Sequence, residues 1–361
     1  MHGTCNLILS IPQYLFDPKW TMFLNILWYL CADSLIAYKG ALLQASGIFI
    51  LSFLNMVYKD GRPFWDSTKI TSFNHCEFSF TSPCQQSFNA LFFCCYKYYM
   101  SRYKYAGQTN SIVNWLLIAF IFFINAAVYF AGILNGVFYI YQSVMGSLIA
   151  FVYLVIVISF DNEIHRYCEQ TGFILKSSRL RKFGLMFTCL ISFTFYILYY
   201  SCVLSVWQQP AIWIYNASLN ANDSKCTVIF NQRANNKLGT TQTFYQTSII
   251  FFIIGMAFGQ PFSLSYVRPL LWVHSEVWRK VIRTVLGIAI CLGISYGFYF
   301  LAINSSNMTT KYFWIFLLPN IIVSFFIFGI YPIICNWIGL VIPRAKFQEM
   351  MRRKREGERR A

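Results

Sequence analysis

Long apolar runs, repeated along the chain and almost free of charge, leave little choice of fold. Nine stretches read as candidate membrane helices, near residues 20–37, 41–57, 86–100, 111–130, 137–160, 184–206, 246–267, 281–302 and 312–339. A helix crosses the hydrocarbon core with about 17–25 residues. No water is available there to satisfy an open backbone, so such segments fold as helices. The expected class is all-α: a polytopic membrane helical bundle of about nine transmembrane helices. The first and third segments are the weakest. Segment 20–37 carries Asp33, and 86–100 is short, with aromatic and polar residues throughout. Each either lies flat at the interface or spans with help from its neighbours.

Composition agrees. Charged residues make up 12% of the chain, against about 25% in a soluble domain. The many Phe and Tyr suit lipid-facing surfaces and interfacial belts. The net charge of +16 lies largely in short loops and the tail, and does not point to nucleic acid. RRKREGERR near the C-terminus suits anionic headgroups, or serves simply as a cytosolic anchor charge. There are only four His and no CxxC pair, so neither a metal site nor a cofactor is expected. Cysteines such as Cys94, Cys95, Cys189, Cys202, Cys291 and Cys335 fall in apolar segments and read as buried thiols. Cys76 and Cys84 share one polar loop and are candidates for a disulfide if that loop is lumenal.

Loop charge sets the orientation. The tail after Pro343 holds eight Arg or Lys and is expected to be cytosolic. Counting back through single spans puts three loops on the same side. They carry Arg268, Arg279 and Lys280; Arg166, Lys176, Arg179, Arg181 and Lys182; and Arg102 and Lys104. Four Asn-x-Ser/Thr sequons, at Asn216, Asn222, Asn304 and Asn307, fall in loops assigned to the opposite side. They are candidate glycosylation sites. The first apolar stretch lacks a basic n-region and meets Pro12 and Pro18, so no cleavable signal peptide is expected. The chain reads as a secretory-pathway glycoprotein, of the endoplasmic reticulum or a related membrane in preference to the mitochondrial inner membrane. Its N-terminus is expected to be lumenal and its C-terminus cytosolic. The organisation reads as a membrane core over 1–206, a lumenal loop over 207–245, transmembrane helices over 246–340 and a basic cytosolic tail over 341–361.

Three blocks carry the chemical signal. KDGRPFW includes Arg62 and Pro63. SFTSPCQQS includes Pro83, Cys84, Gln85 and Gln86. AGILNGVFYIYQSVMG runs from Ala131 to Gly146. Together they resemble the type 2 phosphatidic acid phosphatase superfamily, which includes lipid phosphate phosphatases and glucose-6-phosphatase. The family motifs are KxxxxxxRP, PSGH and SRxxxxxHxxxD. The resemblance covers about residues 40–160, and the nine-span topology is similar to that of glucose-6-phosphatase. It implies a phosphatase-like core in which one histidine is the nucleophile, a second protonates the leaving oxygen, and Lys and Arg neutralise the phosphate.

The chemistry-bearing slots are altered. Arg62 stands at the arginine of the first motif and is a candidate phosphate ligand, or else a structural loop arginine. The lysine slot is Asn55. Cys84, Gln85 and Gln86 follow the proline of the second motif, with Gln86 in the histidine slot, where it cannot shuttle a proton near neutral pH. In the third block Gly132 takes the arginine slot and Phe138 the nucleophile slot, while Gly136, Gln142 and Gly146 match. Phenylalanine is neither nucleophile nor base. The third block alone also reads as an ordinary helix with chance matches. The best reading is a pseudoenzyme with no catalytic residues, which binds membrane lipid or a phosphorylated ligand, or serves membrane-protein partners structurally. One rival is an active phosphomonoester hydrolase with a divergent site around Arg62, Cys84 and His75. The other is a transporter or channel component.

Overall fold

The computed structural model describes residues 11–67, 69–70, 79–104, 111–169, 176–220, 238–266, 272, 275–302, 308–342 and 352. Among them there is helix and no strand. The helices are α1 (Pro18–Cys31), α2 (Ser34–Tyr58), α3 (Pro63–Asp66), α4 (Gln85–Lys104), α5 (Ser111–Leu134), α6 (Ile140–Ser159), α7 (Asp161–Glu169), α8 (Lys176–Val206), α9 (Ala211–Asn220), α10 (Leu238–Gln246), α11 (Ile249–Tyr266) and α12 (Val277–Ala302). A last span, α13 (Tyr312–Trp337), opens on a π-helical stretch at Tyr312–Leu317 and contains a second at Phe326–Ile330.

Seven of these segments are long and apolar enough to cross a membrane. They lie at Ser34–Asp66, Ser111–Leu134, Ile140–Ser159, Phe183–Val206, Thr243–Ser263, Val277–Leu301 and Tyr312–Trp337. Large apolar side chains such as Trp115, Phe122 and Phe123 point outward from α5, which suits lipid and not water. The seven helices fit a multi-pass integral membrane protein.

The other two of the nine expected segments fold as helices but do not qualify, for local reasons. Segment 20–37 breaks in two. The Asp33 carboxylate accepts from the backbone N–H groups of Leu35 (3.0 Å) and Ile36 (3.1 Å) and so starts a new helix, α2. That leaves α1 with 14 residues. The third segment lengthens to the 20 residues of α4, but its Gln, Asn, Lys and Ser content keeps it too polar.

The chain divides into two compact units. The first comprises residues 1–22, 43–161 and 191–249; the second comprises 23–42, 162–190 and 250–361. In the first unit α4 packs against α5 and α6. Phe88, Phe92 and Tyr96 recur every fourth residue on α4 and stack, with centroids 5.8 and 5.6 Å apart. Gly47 on α2 admits the Phe88 ring, since a Cβ there would lie 2.6 Å from its Cζ. The Tyr153 hydroxyl donates to the Leu43 carbonyl at 2.9 Å and ties α6 to α2.

The segment read as a lumenal loop contributes helices α9 and α10 to this unit. Trp213 of α9 lies against Trp65, with centroids 5.7 Å apart. Thr243 of α10 accepts from the Phe80 backbone N–H at 3.1 Å.

In the second unit, glycines let α11 and α13 approach closely. A Cβ on Gly255 would lie 2.0 Å from Ser324 Oγ, and one on Gly259 would lie 2.8 Å from the Phe325 carbonyl. Small residues at such crossings are the usual means of bringing membrane helices together.

Candidate functional site

The residues assigned to the three motif blocks come from distant parts of the chain and meet in the first unit. Asn55 lies near the end of α2. With its amide oriented to satisfy its neighbours, its nitrogen donates to the carbonyls of Ser82 (2.8 Å) and Pro83 (2.9 Å). The Ser82–Pro83 bond is cis. Asn55 therefore holds the turn that leads into α4.

Arg62 precedes α3 and is buried. Its Nε donates to the Ser79 carbonyl (2.8 Å), its Nη2 to Ser79 Oγ (2.9 Å) and its Nη1 to the Val137 carbonyl (3.4 Å). The guanidinium thus ties the first block to the loop before α4 and to the turn before α6. Three of its five N–H donors thus have protein acceptors, and the side chain is tied into the fold.

The second block meets the third through the backbone. The Cys84 N–H donates to the Gln142 carbonyl at 3.0 Å. Gly146, one turn along α6, sits against the Cys84 carbonyl, which a Cβ would approach to 2.3 Å. Gln142 works at both ends of the turn. Its Oε1 accepts from the Tyr139 N–H (2.9 Å), and its Nε2 donates to the Gly61 carbonyl (3.1 Å). The match at Gln142 and Gly146 is thereby accounted for as packing.

Gln85 points away from this junction and donates to Ser52 Oγ and Gln246 Oε1, both at 3.1 Å. Gln86 accepts from the Cys84 thiol at 3.4 Å, and Ser87 Oγ lies 3.4 Å from the same sulfur.

The third block closes the centre. Cys84, Val137 and Phe138 form one buried apolar cluster. The Phe138 ring lies on Gly132, where a Cβ would come within 1.8 Å of Cζ and 2.2 Å of Cε1. Gly132 is therefore the space the ring occupies. The slots expected to hold an arginine and a nucleophilic histidine are filled by one aromatic plug.

Cys84 is a free thiol. Burial pushes its pKa up, against the opposing pull of hydrogen bonds with Ser87 and Gln86 and the nearby Arg62 charge. It stays protonated near neutral pH and lacks the thiolate that nucleophilic attack needs. We predict that maleimide will not modify Cys84 in the folded protein at pH 7 and will do so after denaturation. Mass mapping of the peptide checks this, and rapid labelling of the native protein would contradict it. His75 of the divergent centre and Cys76 of the disulfide pairing lie outside the described residues.

One sequon residue lies inside the fold. Asn216 is buried on α9, and its Nδ2, the atom that would carry a glycan, donates to the Trp65 carbonyl at 2.9 Å. The sequon pattern reports residue type and not exposure. We predict that Asn216→Gln leaves gel mobility in secretory-pathway expression unchanged. A mobility shift equal to one glycan would refute this. Asn222, Asn304 and Asn307 lie outside the described residues. Among the described residues, no group of three or more His, Cys, Asp or Glu side chains is placed to hold a metal ion.

An open cleft of about 940 Å³ lies beside the plug. Phe138 lines it, together with Ile133 and Leu134 from the end of α5 and Ile140, Val144 and Leu148 from α6. Ile140 and Leu148 are 63% and 62% exposed, so the cleft opens along the outer face of α6. Tyr139 and Tyr141 also line it, and each is tied to a carboxylate outside the lining. The Tyr139 hydroxyl donates to Asp66 Oδ2 (2.9 Å) and the Tyr141 hydroxyl to Asp60 Oδ2 (3.3 Å). The two rings stack with centroids 5.6 Å apart. Burial, and then Asp66, raise the Tyr139 pKa, so that hydroxyl remains a neutral donor. These four residues have no counterpart in the motif reading. The alternation of Tyr139 and Tyr141 is visible in sequence, but their pairing with Asp66 and Asp60 spans more than seventy residues.

Fold and site together describe a helical membrane protein with an aromatic plug at a turn junction and an apolar cleft beside it. No family model, no curated protein and no solved structure matches the chain.

Proposed function

We propose that this is a non-hydrolytic, phosphatase-like membrane protein that seats a lipid in the cleft beside Phe138. The observation that carries the reading is the plug itself. Phe138 packs onto Gly132 and Cys84 and forms the inner wall of the cleft. Residues aligned to three separate family motifs converge there, as a shared architecture requires. None of those described supplies a proton shuttle or an ionised nucleophile near neutral pH. The apolar lining favours an alkyl chain, and the opening on α6 gives access from the bilayer.

With this reading goes a membrane of the secretory pathway, a lumenal N-terminus and a cytosolic C-terminus, on the strength of the basic loops. Protease protection of tags at the two termini in sealed microsomes tests that orientation.

The functional reading is tested with the purified full chain in detergent. Incubation with phosphatidic acid and related phosphomonoesters should release no phosphate beyond the protein-free control. Native mass spectrometry should find co-purifying lipid that Val144→Trp displaces from the cleft. Turnover that disappears in Arg62→Ala or Cys84→Ser would overturn the non-hydrolytic reading. Lipid retention unchanged by Val144→Trp would overturn the seat.

A further inference from the structure

Two of the side chains that line the cleft, Tyr139 and Tyr141, are hydrogen-bonded to carboxylates that stand behind the lining. Tyr139 and Tyr141 use their protons on Asp66 and Asp60. Each phenolic oxygen keeps lone pairs as an acceptor, and the Tyr141 oxygen receives one long contact, 3.4 Å, from Gln142 Nε2. A carboxylate has about four lone-pair sites and its tyrosine takes one. Two of the nearby cations are engaged elsewhere. The nitrogens of Arg62 are bound to Ser79 and Val137, and Lys59 Nζ sits 5.8 Å from the centroid of the Trp207 ring.

A phosphate, which offers only acceptors at full charge, would meet acceptors and like charge at this rim. An ammonium group is its complement: three donors, no acceptor and a positive charge. Two stacked tyrosine faces add an electrostatic attraction for a cation. The cleft volume of about 940 Å³ lies in the range of about 300–1,000 Å³ that suits one compact ligand. That favours a single alkyl chain over a lipid with two.

We propose that the cleft takes a long-chain amine, its chain against Ile133, Phe138, Val144 and Leu148 and its ammonium head at Tyr139 and Tyr141, backed by Asp66 and Asp60. This rests on the reading of the cleft as a lipid seat and adds the head-group class. Charge complementarity at the rim decides the class, and the apolar wall decides the tail.

The test uses the full chain in nanodiscs of uncharged lipid. Three photoreactive probes carry the same alkyl chain and end in an amine, an alcohol or a phosphate monoester. Cross-linked peptides are mapped by mass spectrometry. The amine should label residues 133–148 about tenfold more than the phosphate monoester, the ratio expected from one charge-assisted hydrogen bond. Asp60→Asn with Asp66→Asn should erase that preference while all three probes, held by the shared tail, still label residues 133–148, which reports an intact cleft. Tyr139→Phe with Tyr141→Phe, which releases the carboxylates from their tyrosines, gives an independent pair and should change the amine-to-phosphate ratio with that tail-held labelling retained.

Phosphate labelling equal to or above amine labelling overturns the head-group assignment and leaves the lipid seat standing. So does a preference that survives the double asparagine variant. Absence of labelling by all three probes at 133–148 overturns the seat itself.

Discussion

Gly132→Arg should destabilise the folded protein strongly, and Phe138→Ala in the same chain should remove most of that cost. A Cβ at position 132 already falls 1.8 Å from Phe138 Cζ, so an arginine has no room while the ring is present. Overpacking a buried site costs about 1–3 kcal/mol and sometimes more, and a long charged side chain lies at the upper end. With the ring gone, the arginine gains the space that the plug occupied. The two substitutions therefore couple, and a double-mutant cycle on thermal unfolding in detergent measures the coupling. Additive costs would show that the two residues do not share one space. The two positions share one space, so a larger side chain at 132 requires a smaller one at 138.

Arg283→Met should be the most damaging single change in the second unit. Arg283 is 0% exposed and lies inside the span Val277–Leu301. Its Nε donates to the Leu30 carbonyl and its Nη1 to the Trp272 carbonyl at 3.0 Å. Its guanidinium carbon stands 3.9 Å from the centroid of the Trp272 ring, whose own Nε1 donates to the Tyr29 carbonyl at 2.7 Å. The Tyr331 hydroxyl donates to the Arg283 carbonyl. One side chain thus satisfies a carbonyl in the last turn of α1, where no intrahelical donor remains, and holds Trp272 and α12 to it.

Methionine fills similar volume but leaves two buried carbonyls without their donor. The expected loss is about 3–5 kcal/mol, with Arg283→Lys intermediate because it keeps a cation and fewer donors. Thermal unfolding followed by tryptophan fluorescence reads the order. A methionine variant as stable as the parent would show that the buried guanidinium is dispensable. Intramembrane arginines are costly to bury, and this one is retained because it organises three segments at once.

The helical membrane class and the approximate position of seven spans were legible in the residues. Runs free of charge admit no other backbone solution in hydrocarbon. The two segments that did not qualify are those where a single polar feature outweighs the average. Asp33 looks like a stray charge in an apolar window, yet as a carboxylate at a helix start it ends one helix and begins the next. The amides of α4 lower its mean hydropathy, although packing buries most of them.

Motif spacing likewise singled out Asn55, Arg62, Cys84, Gln85, Gln86, Gly132 and Phe138 as related positions. It could say what each side chain cannot do chemically, because glutamine does not shuttle protons and phenylalanine does not attack phosphorus. It could not say what each one does instead. That depends on contacts between residues far apart in the chain. The donors of Arg62 could have faced a ligand, and the structure turns them to Ser79 and Val137. Asn216 could have carried a sugar, and packing directs its amide to Trp65. Gly132 and Phe138 are six residues apart, but only the turn between α5 and α6 folds the ring back onto the glycine and makes the two slots one plug. The residues determined the helical membrane class of the fold and the chemistry each side chain can offer. Tertiary contact decided which polar atoms are occupied and which remain open at the cleft, because availability follows from neighbours brought together by folding.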